Sequence, residues 1–149
     1  MATTRLPETD HSPLLRTDFT DDDAWSALLT EVGDDWLTVM PDPAHEGLPV
    51  PELISLVPEG RRYPVLAVAD NVTFSSADRT LLLVDVDEEP GRSFRAVPEA
   101  FRSAIGNLAI ENLSFDDYLG MLDDSGVYRL SDRHRQAFAA LRGFTDPRS

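Results

Sequence analysis

Apolar positions along the chain fall into two kinds of run. One kind is short, continuous and rich in aliphatic residues: Pro64-Val65-Leu66-Ala67-Val68-Ala69 and Leu81-Leu82-Leu83-Val84-Asp85-Val86. Such runs predict strands buried on both faces, at the centre of a helix-covered sheet. The other kind recurs every three or four residues. Trp25, Leu28, Leu29 and Val32 make one apolar face, with Thr20 as N-cap, Asp21, Asp22 and Asp23 in the first turn and Gly33 at the end. Before this helix the pattern predicts a flexible arm over 1–12 and a short strand over Leu14 to Phe19.

Further strands are predicted at Trp36–Met40, Ser93–Val97, Asn107–Asn112 and Val127–Leu130. Further helices are predicted at Glu52–Val57, behind Pro51, and from Ser114 to Leu122; a helical turn starts at Pro98. The polar connection Asn71 to Arg79 is too short for a full crossover helix, so the two buried strands need not be parallel neighbours. Pro90-Gly91 turns the second of them back as a hairpin. Together these elements predict a single α/β or α+β domain over 13–130, with a mixed sheet of about five to seven strands and helices packed on it. A basic helix and tail are predicted over 131–149.

Composition narrows the chemistry. The 149 residues contain no cysteine, which excludes disulfides, thiolate metal sites and cysteine nucleophiles. All 13 bases are arginine, so lysine catalysis is excluded; arginine in place of lysine is most simply a codon effect of a GC-rich genome. The start of the chain is polar with no apolar leader, and no run approaches the ~18 residues that would span a membrane. A soluble cytoplasmic protein is expected. Net charge is −14, with 13 acids against 2 arginines in residues 1–60 and 5 arginines against 2 acids in 129–149. So acidic a body repels phosphate backbones, which argues against nucleic acid and leaves a basic protein as the candidate partner.

Asp70, Asp85 and Asp87 end the two buried strands and are the candidate metal ligands, because α/β sheets place ligands at strand ends and hard cations take carboxylate oxygens. Asp85 and Asp87 resemble the Asp-x-Asp of haloacid-dehalogenase-like phosphatases. That family carries the motif near its start and uses a later lysine, and this chain does neither. Antiparallel pairing would also put Asp70 and Asp87 at opposite edges. His11, His45 and His134 have no partner at metal-ligand spacing, and there is no Gly-x-Ser-x-Gly elbow or phosphate loop. Trp36, Tyr63, Asn107, Glu111 and Asn112 form the candidate pocket, the amides either bracing backbone or lining a cavity.

Pro13-Leu14-Leu15-Arg16-Thr17-Asp18-Phe19-Thr20-Asp21-Asp22, Val68-Ala69-Asp70, Leu82-Leu83-Val84-Asp85, Gly91 to Pro98, Asn107 to Phe115 and Asp124 to Arg129 resemble the landmarks of an actinobacterial, Streptomyces-type family of small acidic proteins known as a domain of unknown function. The resemblance spans about 13–130. It implies no assigned activity, catalytic residue or cofactor. The residues themselves carry no complete catalytic constellation, so the reading favoured from sequence is a non-enzymatic interaction or regulatory module, an immunity-type protein against a basic toxin being one version. The alternatives are a metal-assisted hydrolase using Asp70, Asp85 and Asp87, and a small-ligand-binding domain.

Overall fold

Residues 5–130 are described in the computed structural model. Within them β1 (Ser12–Arg16), β2 (Leu37–Met40), β3 (Val65–Ala69), β4 (Leu81–Asp85), β5 (Ser93–Ala96) and β6 (Val127–Tyr128) form one sheet in the order β2-β1-β3-β4-β5-β6. β1 runs parallel to both β2 and β3; β4 is antiparallel to β3 and β5; β6 is parallel to β5. Five strands therefore share one direction and β4 alone opposes them. The helices are α1 (Asp22–Val32), α2 (Val50–Ser55), α3 (Asn71–Ser75), α4 (Pro98–Ala109) and α5 (Phe115–Leu119). The result is one α+β domain with a mixed six-stranded sheet. The C-terminal helix expected from Asp132 lies outside the described residues.

Strand alternation sorts the side chains into two cores. Leu14, Val65, Ala67, Leu83, Phe94 and Tyr128 face α1, α4 and α5. Leu15, Leu66, Val68, Val84 and Val86 face the other way, towards α2 and Leu6. The second layer is thin, because α2 has only six residues. Leu6 joins it, its N–H donating to the Leu56 carbonyl at 2.8 Å, and Arg5 donates to the Val57 carbonyl. The start of the described chain, expected as an arm, is thus tied to the segment that follows α2 before it enters β1.

Local rules account for most boundaries. Asp21, rather than Thr20, caps α1 by accepting from Ala24 N–H, while the Thr20 hydroxyl is turned to Asp18. Ser114 and Asp117 form a capping box for α5. One predicted strand is absent: residues 107–112 are the end of α4 and its exit turn. Ala100, Phe101, Ala104, Ile105 and Leu108 keep a helical repeat running through it, and burial of that whole face outweighs the local alternation. The exit is a Schellman motif. Asn112 N–H donates to the Asn107 carbonyl and Glu111 N–H to that of Leu108, with Glu111 left-handed at φ 57°.

Candidate functional site

The strand order reverses at β1. From β1 the chain crosses by α1 to β2 on one side; from β2 it returns by α2, on the opposite face, to β3 on the other side. Where crossovers leave in opposite directions, a crevice opens outside the carboxyl ends of the strands. Here it has a volume of about 570 Å³. Thr17 and Asp18 follow β1, and Asp70 and Asn71 follow β3. The segment Glu46 to Val50 makes one wall, hung from β1 by the Gly47 N–H donating to the Thr17 carbonyl. Leu53, Val68 and Leu82 give it an apolar floor. Just before this wall His45 is buried at the end of a 3-10 turn over Pro43–His45.

Charge in the crevice is unequally satisfied. Asp70 caps α3, accepting from Thr73 N–H, and is clamped by Arg95 through two contacts, 3.1 Å to Oδ1 and 2.6 Å to Oδ2. Arg95 reaches it from β5, across β4, and also donates to the Thr80 carbonyl. The Asp18 carboxylate accepts from Thr20, from its backbone N–H at 2.8 Å and its hydroxyl at 2.6 Å, while the Asp18 carbonyl accepts from Arg16 Nε at 2.9 Å. Among the described residues no arginine pairs with Asp18 or Glu46. The one arginine that lines the crevice among the described residues is therefore spent on Asp70, and the Asp18 and Glu46 carboxylates have no ion-pair partner among those residues.

Asp85 lies elsewhere. The register sets it opposite Val65, five residues before Asp70 along β3, or roughly 17 Å at ~3.3 Å per residue. Ligands of one cation sit within ~2.6 Å of it, so Asp70 cannot share an ion with Asp85 or Asp87. No group of three or more metal-binding side chains converges among the described residues. The physical reason is the reversed direction of β4, which sends its end to the other pole of the sheet.

There Asp85, 2% exposed, organises the β4–β5 hairpin. Its Oδ1 accepts from Asp87 N–H at 2.9 Å; its Oδ2 accepts from Glu89 N–H at 3.1 Å and from Arg92 Nε at 2.9 Å. Burial opposes its ionisation most strongly, but these donors together outweigh burial and hold its carboxyl below the usual range. Arg92 also reaches Asp116 and lies 5.0 Å from the Phe115 ring centre. Asp87 pairs with Arg61. A smaller cavity of about 260 Å³ opens at this pole, lined by Asp85, Asp87, Glu111 and Phe115 among others.

The five residues expected to share a pocket are dispersed. Tyr63 is buried in the second core, its hydroxyl raised in pKa chiefly by burial. Asn107 and Asn112 brace: Asn112 donates its amide to Asn107, which donates to the Tyr118 hydroxyl, tying the end of α4 to α5. Glu111 lines the smaller cavity, and Trp36 lies exposed against α4. Thr17, Asp18, Glu46 and Arg95 were not singled out by sequence. The usable signal was a hydroxyl and an acid directly after the first strand, meaningful only once the strand order is known.

Fold and crevice define a single-domain α+β protein with an open mixed sheet and a polar opening at its reversal point. The chain belongs to the family described as "Domain of unknown function (DUF6924)", which matches residues 11–131. A search of curated proteins finds no match. Among the described residues no helix is long and apolar enough to cross a membrane.

Proposed function

We propose that the protein is a cytoplasmic small-ligand-binding domain whose crevice at the ends of β1 and β3 takes a compact organic cation. One observation carries the reading: Asp18 and Glu46 line an apolar-floored cavity whose one arginine among the described residues is committed to Asp70. Its volume of about 570 Å³ suits a small molecule. An ammonium or guanidinium head would satisfy the two acids, while an alkyl or aryl body covers Leu48, Leu53, Val68 and Leu82. An anion would meet repulsion instead, since it could reach Arg95 only by displacing Asp70.

The test is thermal shift with alkyl- and arylalkylamines against the alcohols and carboxylates of the same carbon skeleton, at constant ionic strength. A ligand at 100 times its Kd adds about 2.7 kcal/mol. Amines should raise the melting temperature, and the double variant Asp18→Asn/Glu46→Gln should abolish the shift. Equal shifts from amines and carboxylates, or an amine shift that survives the double variant, would sink the reading.

A further inference from the structure

Trp36 stands immediately before β2, an edge strand of the sheet, and its backbone is left-handed at φ 67°. Bulky residues rarely adopt that conformation, and strain of this kind tends to mark functional positions. Here it does not serve burial: Trp36 is 40% exposed, whereas Trp25 is 6%. The indole lies instead on Gly106, inside α4, where an added Cβ would sit 3.2 Å from the indole Nε1. A glycine within a helix weakens it, so a second local cost supports the same exposed ring. One turn further along that helix face is Ile110, 59% exposed. His11 meets the indole edge-on at 5.9 Å between ring centres.

The charges around this apolar pair are mostly negative. Asp34 and Asp35 precede Trp36 and Glu111 follows Ile110; all three are exposed, and none pairs with an arginine among the described residues. Arg102, one turn before Gly106, is the only base that α4 carries.

We propose that Trp36 and Ile110 form a docking face for a basic segment of a partner protein, which lays an apolar side chain on Ile110 and an arginine over the indole. Charge complementarity selects this occupant. Tryptophan is the best aromatic platform for a guanidinium. Asp34, Asp35 and Glu111 receive its neighbouring bases, and the acidic body steers it in. The face is separate from the crevice, whose lining includes none of these residues.

The experiment is fluorescence anisotropy of a labelled peptide of alternating arginine and leucine, titrated with the full chain, against a glutamate–leucine control. Saturable binding of the arginine peptide alone is expected, weakening with salt. Trp36→Gly suits the left-handed backbone and should fold as judged by circular dichroism, yet bind at least tenfold more weakly. Ile110→Gln leaves the strained backbone untouched and should weaken binding severalfold. Binding within twofold of the parent in both variants would overturn the proposal. So would parent binding that appears only after Arg133, Arg135 and Arg142 are replaced by serine, since the chain's own basic end would then be the occupant.

Discussion

Removing the Asp85 carboxylate should be the most damaging single change at the sheet's far pole. The residue is 2% exposed, and its side chain satisfies two backbone N–H groups and Arg92. Breaking a buried ion pair from one side costs about 3–5 kcal/mol, because the remaining groups lose their partner in a dry setting. Arg92 keeps Asp116 and the Phe115 ring, which places Asp85→Ala at the lower end, about 3 kcal/mol. For a chain of this size that corresponds to a fall in melting temperature of roughly 6–12 °C. Urea unfolding at neutral pH, followed by circular dichroism, measures it directly. Pairing Asp85→Ala with Arg92→Met should recover part of the loss, since the carboxylates that then lose Arg92, namely Glu88, Glu89 and Asp116, are exposed to water. The pH dependence has a defined sign. The folded pKa of Asp85 is depressed, so its contribution is complete above the ordinary carboxylate value and disappears as pH falls through the folded one. Parent and variant should therefore converge in strong acid. A loss below about 1 kcal/mol at neutral pH, or a gap that persists in acid, would refute the view of Asp85 as the hairpin's electrostatic anchor.

Three further outcomes follow from the geometry. Tyr118 is pushed up to about 12, chiefly by burial, so stability should be intact below pH 10 and drain away as pH rises towards that value, readable by alkaline unfolding alongside ultraviolet tyrosinate absorption. Glu111→Gly should stabilise by about 1 kcal/mol in urea unfolding, because glycine fits the left-handed exit of α4 without the strain that glutamate carries. Asp70→Ala should cost about 1–2 kcal/mol through the lost cap of α3, and should narrow the crevice's preference for amines over carboxylates by releasing Arg95; unchanged preference in thermal shift would contradict the charge assignment.

Much of the fold is legible in local chemistry. The continuous runs at 65–69 and 81–85 are the two central strands; Pro90-Gly91 does mark the β4–β5 hairpin; Ser114 does start α5. The short polar link from Asn71 also carries its meaning correctly, since β3 and β4 are antiparallel. Residues 107–112 misled because six residues can alternate and still extend a helix whose buried face was established a turn earlier. The crevice was hidden for a different reason. It is made where β1 sits between β2 and β3, and no local pattern encodes which strands become neighbours. Arg95 and Asp70 are 25 residues apart and meet only across β4. The candidate metal trio failed by the same route, its members being close in sequence pattern but at opposite poles of the sheet.

The thin second layer has a consequence for breathing. A hairpin between β3 and β5 by way of β4 needs no crossover helix, so α2 and the chain around Leu6 are the main cover that the described residues give that face. Its amides should exchange with solvent before those of the core beneath α1 and α4, because fewer buried contacts must break to open it. The crevice wall from Glu46 to Val50 belongs to this loosely fastened layer, while the strand ends beside it belong to the firm one. A molecule seated in the crevice would thus bridge the least and the most protected parts of the domain. Its arrival would register as slowed exchange across α2, with the α1 and α4 side unchanged.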